Sequence, residues 1–318
     1  MAAVGDVLEA DVMKMKMPLI LPLVLAGAVI PLSVIGKKEL ASDKVAKIRS
    51  ALPAEALAKP KAKRKVLVFS VTNGFRHGSI PTGQAAMLMM GEATGAYETV
   101  VSDDLAHFER DALSEFDAVC FLNTTGNVFH PGRGDWQKMS DDQKKEADAK
   151  AKKLFGNLMD FVKGGGGFVG IHSATDTLYN EPEYGEMMNG YFWGHPWGAG
   201  TPVSIKVEPG QEAHPVVAML EGKNLDFKEE IYQLKDPYDS SKVRMLLRLD
   251  TERSKMDVGG IRRTDKDFGV AWIREWGKGR VFYCSLGHND HIYQHPIVLK
   301  HYLAGLQWAL GDLEASVK

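Results

Sequence analysis

From residue 65 onward, short apolar runs alternate with longer helical segments. Lys65–Val71, Asp117–Asn123 and Phe168–Ile171 are apolar runs bounded by turn residues, which is typical of strands buried on both faces. Ser140–Lys163 is predicted as a long helix with one charged face, and Ile80–Thr94 as a second helix. Strands that alternate with helices predict an α/β fold with a doubly wound parallel sheet.

The pattern changes after Tyr191, where strands follow one another through turns rather than through helices. The predicted strands of this half are Thr201–Glu208, Asp226–Leu234, Val243–Asp250, Gly269–Glu275 and Arg280–Ser285, followed by a closing helix at Pro296–Leu310. The sheet is therefore predicted to be mostly parallel, with added antiparallel strands in the C-terminal half.

The N-terminal segment differs from the rest in composition. Met17–Gly36 is uncharged and follows two lysines, so it resembles the apolar region of a signal peptide, although its length also permits a membrane span. Residues 37–64 predict a basic Ala/Lys/Pro linker, with a short helix near Ser42–Ala51. The predicted organisation is a signal peptide or membrane anchor at 1–36, the linker, and one domain at 65–314. We expect an exported protein, periplasmic or extracellular, which touches a membrane only if this segment stays uncleaved.

Charge, cysteines and missing motifs exclude several classes of protein. The net charge is −2, and residues 1–65 carry twelve Lys and Arg against six Asp and Glu, so the body is mildly acidic. An acidic body without a basic stripe argues against a nucleic-acid partner. Cys120 and Cys284 lie in predicted strands, where free thiols pack as small apolar side chains. The chain contains no GxSxG elbow, Walker loop or HExxH pattern.

The stretch Gly164–Thr177 combines a strand with a polar turn. Four consecutive glycines end the preceding helix, a strand follows, and the turn begins at His172 and reaches Asp176. Ligands of an open parallel sheet bind beyond the carboxyl ends of its strands, so the turn is predicted to belong to a ligand site. The alternative is an ordinary strand-to-helix connection in which Ser, Thr or Asp caps the helix.

Four histidines fall in loops at this predicted face or beside it. They are His77, His172, His195 and His288. Histidine serves in such places as an acid, a base or a metal ligand, although a single histidine is more often a hydrogen-bonded structural group, and it is the occurrence of all four at this face that favours a site. The four are candidate ligands of a divalent transition metal, but they show no HxH or HxxxH spacing. Asp176, Glu229 and Glu230 supply candidate carboxylates.

Six blocks of sequence, in order, resemble the ThuA-like or trehalose-utilisation family. They are Lys65–His77 (KVLVFSVTNGFRH), Phe121–Gly126 (FLNTTG), Gly167–Asp176 (GFVGIHSATD), Trp193–Pro196 (WGHP), Glu229–Tyr232 (EEIY) and Ser285–Asn289 (SLGHN). The resemblance covers Lys65–Leu313. It implies a flavodoxin-like fold similar to that of class I glutamine amidotransferases. The nucleophilic cysteine of those enzymes follows the central strand, and His172 occupies the matching position here, which argues against glutamine hydrolysis.

The resemblance also implies a role in carbohydrate catabolism, with a trehalose-like or 3-keto glycoside as the small-molecule substrate. We expect hydrolysis or elimination, since a 3-keto group acidifies the neighbouring C–H bond and one positioned base starts the reaction. His172 and His288 are expected to exchange protons, and Asp176 or Glu230 to assist them.

Other loop residues are predicted to bind the substrate. They are His77, Asn123, Thr125, Ser173, Trp193, His195 and Asn289. The alternative function is a non-catalytic carbohydrate-binding module, in which the faces of Trp193 and Trp197 contact sugar rings. A homo-oligomer is a further expectation.

Overall fold

The computed structural model describes residues 40–317. Its strands are β1 (Lys65–Phe69), β2 (Glu98–Val101), β3 (Ala118–Leu122), β4 (Gly167–Ile171), β5 (Tyr191–Phe192), β6 (Pro202–Val207), β7 (Leu225–Lys228), β8 (Leu234–Lys235), β9 (Arg244–Leu249), β10 (Gly269–Trp276) and β11 (Gly279–Cys284). Its α-helices are α1 (Ser42–Ala51), α2 (Ile80–Thr94), α3 (Arg110–Leu113), α4 (Arg133–Trp136), α5 (Asp141–Gly164), α6 (Pro182–Met188) and α7 (Pro296–Ala309). The predicted signal or anchor segment, 1–36, lies outside the described residues.

The main sheet has nine strands in the order β2-β1-β3-β4-β11-β10-β9-β6-β7. The pairs from β2 through β11 are parallel, and those from β11 to β7 are antiparallel. The predicted α/β class, with antiparallel strands added by the C-terminal half, is confirmed. The order 2-1-3-4 with β11 in fifth place is that of a flavodoxin-like sheet, in which the chain changes direction across the sheet between β1 and β3.

Both faces of the parallel strands are buried, which explains their continuous apolar sequences. Successive residues of β1 point to opposite faces: Val66 and Val68 pack with α2 and α7, while Leu67 and Phe69 pack on the side of α5. Cys120 and Cys284 are free and fully buried in β3 and β11. Burial raises the pKa of both thiols, so neither is an available nucleophile.

Helix α5 begins and ends as its sequence predicts. Ser140 Oγ accepts a hydrogen bond from Gln143 N, and Gln143 Oε1 accepts one from Ser140 N, which is a capping box. At the other end Gly165 has φ +125°, a conformation that side chains with a Cβ rarely adopt. The helix therefore ends at Gly164, and β4 begins three residues later, at Gly167.

The predicted linker is packed against the domain wherever the structure describes it. Helix α1 forms over the predicted range and fully buries Ile48. Further along, Leu57 N donates to Gln307 Oε1 at 2.8 Å and Lys61 N donates to Asp312 Oδ1 at 2.9 Å. Residues 40–64 are thus part of the folded body, because buried apolar contacts and hydrogen bonds to the α7 region hold a segment whose composition resembles a tether.

The Arg64–Asp312 pair is expected to stabilise this packing strongly. Asp312 has a fully buried side chain and accepts hydrogen bonds from Arg64 Nη2 at 2.7 Å and from Lys61 N. Asp312→Ala removes a fully buried carboxylate, leaves Lys61 N without its acceptor and leaves the partly buried Arg64 guanidinium with Asp117 alone, so we expect a loss of about 2 kcal/mol in unfolding free energy, measured by urea denaturation. Asp160→Ala, which breaks an exposed pair with Arg110, is expected to cost less than about 1 kcal/mol. Equal losses would contradict this account.

One predicted strand is interrupted. Asp226–Leu234 was expected to be continuous, but β7 ends at Lys228 and β8 pairs with β5 in a separate two-stranded sheet. The reason is that Glu229 and Glu230 leave the ladder and bury their carboxylates. Within residues 40–317, no helix has both the length and the apolar character needed to cross a membrane.

Candidate functional site

The loops after β1, β4, β7 and β11 meet at one edge of the sheet. His77 follows β1, His172 follows β4, Glu230 follows β7 and His288 follows β11. One ligand atom from each of these four side chains lies within 4.8 Å of the others. These four residues are called the His–Glu cluster below. It lies at the edge where the chain changes direction between β1 and β3, the usual ligand position in flavodoxin-like sheets.

His172 lies at the centre of the cluster, in a strained turn. Its φ is 52°, in the left-handed region, and its side chain is fully buried. The ring Nδ1 lies 2.7 Å from the carbonyl oxygen of Ser285, and Tyr283 Oη donates to the His172 carbonyl. Because no side chain caps the 3-10 turn that follows β4, the alternative of an ordinary capped connection has no support.

His77 faces His172 across a short contact. The two Nε2 atoms are 3.2 Å apart, and His77 Nδ1 lies 3.4 Å from Ser173 Oγ. Burial, and then the charge of His288, lower the pKa of His77 to about 4. Burial, and then the charge of His77, also lower the pKa of His172, so both rings are neutral at pH 7.

Glu230 and His288 complete the cluster. Glu230 Oε1 lies 3.2 Å from His288 Nδ1 and 3.6 Å from His172 Nε2. The His288 nitrogen is buried beside this carboxylate oxygen. Burial lowers the pKa of His288, but the Glu230 carboxylate outweighs burial and raises it overall. His288 is thus the cluster histidine that holds a proton most readily.

Glu229 fixes the loop that carries His288. Its Oε1 accepts hydrogen bonds from Gly287 N at 3.1 Å and from His288 N at 2.6 Å, and its Oε2 accepts one from Asn289 Nδ2 at 2.6 Å. Gly287 approaches His172 so closely that a Cβ there would lie 3.0 Å from the His172 Cβ. Burial raises the pKa of Glu229 to about 7 in spite of these bonds. The two adjacent glutamates therefore have different contacts: Glu229 holds the loop that carries His288, and Glu230 faces the histidines of the cluster.

Two predicted residues form the outer side of the cluster. The His195 side chain is 51% exposed, and its Nδ1 lies 3.5 Å from Glu230 Oε2. Asp176 accepts a hydrogen bond from Tyr179 Oη, while burial and the charge of Glu230 raise its pKa. His195 was a candidate metal ligand from sequence, but the structure places Glu230, rather than His195, among the four convergent ligand atoms.

Comparison with known proteins identifies the family. A family model named ThuA and described as trehalose utilisation matches residues 65–309, more than half of the chain. The chain belongs to the ThuA family. No curated protein gives a significant match.

Solved structures similar to this ThuA protein share its fold. A ThuA-like protein from Bacteroides uniformis is 20% identical, covers 79% of this chain and 93% of its own, and has a TM-score of 0.56. One from Parabacteroides merdae is 17% identical, with 80% and 93% coverage and a TM-score of 0.52. A cytoplasmic protein from Salmonella typhimurium is 12% identical, with 77% and 98% coverage and a TM-score of 0.50.

Several residues that were predicted to bind substrate form hydrogen bonds with other residues of the ThuA domain. Asn123 is fully buried and bonds to Ser79 Oγ, the Gly287 carbonyl and Tyr293 Oη. Thr125 is also buried and donates to the Phe75 carbonyl. Buried Ser173 lies beside His77, and Asn289 Nδ2 donates to Ala199 O, Lys228 O and Glu229 Oε2. In this structure these side chains position the loops of the site.

The tryptophans do not form an open binding face. Trp197 is fully buried, donates from Nε1 to the Lys255 carbonyl and packs edge-on against Phe268. Trp193 is half-buried, and the guanidinium of Arg262 lies 5.4 Å from its ring centroid. Trp197 therefore has no exposed face for a sugar ring.

Other aromatic residues adjoin the cluster, and sequence reasoning missed them. Phe75 is 63% exposed and lies 4.8 Å from His77 and 6.4 Å from His288, centroid to centroid. Tyr232 Oη lies 3.1 Å from His172 Nε2, and Phe192 contacts both Tyr232 and His195. The sequence did contain a hint of the role of Phe75, because it lies in the loop after β1, two positions before the candidate His77. Phe75 offers the open apolar face that was sought in the tryptophans.

Proposed function

We propose that this ThuA protein is an enzyme of carbohydrate catabolism that acts on a trehalose-like or 3-keto glycoside by elimination or hydrolysis. The observation that supports the proposal is the convergence of three imidazoles and one carboxylate at the ligand edge of the sheet. The outer side of this cluster presents an exposed aromatic ring, Phe75, and two titratable groups, His195 and Asp176. An apolar platform next to proton-transfer groups suits a sugar ring whose chemistry involves a C–H bond.

Proton transfer to and from the sugar belongs to the exposed side of the site. His172 is fully buried and has no surface that contacts a substrate, whereas the ring of His195 is half exposed and backed by Glu230. In the proposed reaction His195 takes the proton from the carbon next to the 3-keto group. The electron pair forms the enolate, which expels the glycosidic oxygen, and that oxygen takes up a proton. Addition of water to the resulting double bond gives net hydrolysis.

The experiment is product analysis on a panel of native and 3-keto disaccharides. We expect turnover of a keto-glycoside, with kcat reduced at least about 100-fold in His195→Gln, because a positioned base contributes that much or more. His291→Gln removes another exposed histidine, one outside the cluster, and is expected to leave kcat unchanged. Saturable sugar binding without any product would instead favour the carbohydrate-binding module.

Export is part of the proposal and rests on the sequence of Met17–Gly36 alone. Cell fractionation and N-terminal sequencing of the native protein test it. A full-length cytoplasmic product would remove export and leave the proposed reaction untouched.

A further inference from the structure

The His–Glu cluster has the composition of a metal centre. Three imidazoles and one carboxylate, from four loops that are far apart in sequence, bring their ligand atoms within 4.8 Å of one another. Imidazole-rich sites with a carboxylate suit zinc, iron, nickel and related divalent ions. A sugar site built on hydrogen bonds alone has no need for three imidazoles that face one point rather than the substrate.

Three of the six distances between the ligand atoms are close to those around a bound ion, and all six are within 4.8 Å. Metal–nitrogen bonds of about 2.0–2.1 Å place neighbouring ligands about 3.3 Å apart in tetrahedral geometry. The His77 and His172 Nε2 atoms are 3.2 Å apart, and Glu230 Oε1 lies 3.2 Å from His288 Nδ1. A third separation, from Glu230 Oε1 to His172 Nε2, is 3.6 Å. One ion therefore fits between these atoms with small side-chain adjustments.

The hydrogen bonds behind the cluster orient the ring nitrogens towards its centre. A carbonyl oxygen only accepts, so His172 Nδ1 carries the ring proton and donates it to Ser285 O. The lone pair of His172 Nε2 then points into the cluster, where Tyr232 Oη also lies within hydrogen-bonding distance of it, at 3.1 Å. A backbone carbonyl behind a ligating imidazole is the usual support of a metal site. Ser173 Oγ occupies the corresponding place behind His77, at 3.4 Å from its Nδ1.

We propose that His77, His172, His288 and Glu230 together bind one divalent first-row transition ion. Glu230 uses one carboxylate oxygen for the ion and keeps the other near His195, which links the ion to the proposed base. When bound, the ion would supply Lewis-acid polarisation of a substrate keto group. This inference deepens the proposed function and rests on it for the role of the ion, but not for its binding.

The test is direct metal binding to the full chain, produced without a histidine tag and stripped with chelator. Titration with zinc by calorimetry, and with cobalt(II) by visible absorption, is expected to show about one equivalent bound. His77→Asn and His288→Asn are each expected to weaken zinc binding at least about 100-fold. His291→Gln, outside the cluster, is expected to bind as the wild type does. Circular dichroism checks that each variant is folded. Two ligand variants are used so that the test still stands if one of them does not fold.

Each outcome separates this inference from the proposed function. Less than about a tenth of an equivalent of zinc or cobalt, or unchanged zinc affinity in both ligand variants, would overturn the metal site. Keto-sugar turnover that survives chelation would then leave the proposed reaction standing. Stoichiometric metal without any sugar turnover would support the site and count against the proposed function.

Discussion

His172→Asn is expected to reduce kcat on a keto-glycoside about a thousand-fold or more, because it removes a ligand of the proposed ion that would polarise the keto group. Asparagine tolerates the left-handed backbone at this position, where φ is 52°, so the turn after β4 is expected to persist. The lost hydrogen bond to Ser285 O is expected to cost no more than about 2 kcal/mol in unfolding free energy. Steady-state kinetics and urea denaturation measure the two quantities.

His301→Asn is the matched control for this prediction. His301 is also buried, its Nδ1 also lies within hydrogen-bonding distance of a backbone carbonyl, that of Val216 at 2.8 Å, and burial lowers its pKa to about 4. It lies on α7, outside the cluster. We expect a comparable loss of stability with kcat unchanged. If the two variants lost activity equally, the effect of His172→Asn would reflect packing, and the proposed centre would be wrong.

Glu229→Ala is expected to reduce stability, whereas Glu230→Ala is expected to reduce activity and leave stability nearly unchanged. Glu229 accepts three hydrogen bonds, two of them from the backbone of the loop that carries His288. Its truncation leaves the Gly287 and His288 N–H groups without partners, so we expect a loss of about 3 kcal/mol in unfolding free energy. Among its side-chain contacts, Glu230 lies near three histidines at 3.2–3.6 Å and accepts no backbone hydrogen bond within residues 40–317, so Glu230→Ala is expected to change the unfolding free energy by less than about 1 kcal/mol.

Activity separates the two glutamates in a second way. Glu230→Ala is expected to abolish turnover in a protein of nearly normal stability, because it removes the carboxylate that faces His195 and His288. Urea denaturation and product analysis on the same preparations measure both properties. A stable Glu229→Ala variant, or a Glu230→Ala variant as unstable as expected for Glu229→Ala, would contradict the roles assigned here.

The sequence predicts most of the sheet because its central strands are buried on both faces. Such strands appear as unbroken apolar runs, and the long α5 helix is bounded by a capping box and by glycine. The docking of residues 40–64 could not be predicted, since it depends on side chains contributed by the other end of the chain. Gln307 and Asp312, which hold this segment, are more than 240 positions away from their partners.

The site was predictable where it follows parallel strands and less so elsewhere. His77, His172 and His288 follow β1, β4 and β11, whose carboxyl ends must share one edge, and the structure brings them together. Glu230 lies after an antiparallel strand, so nothing in the sequence fixes which edge its loop reaches. His195 lies in a loop without regular structure, and its place outside the four ligand atoms depends on the packing of that loop.

The most direct test of the central claim is NMR of a 3-keto disaccharide incubated with the protein in D₂O. The wild type is expected to release a free sugar and to place deuterium at the carbon next to the keto group, faster than the protein-free control. His172→Asn is expected to match that control, and His301→Asn to match the wild type. Absence of product and of deuterium uptake with the wild type, or equal rates for the wild type and His172→Asn, would contradict the assignment of the His–Glu cluster as the active centre.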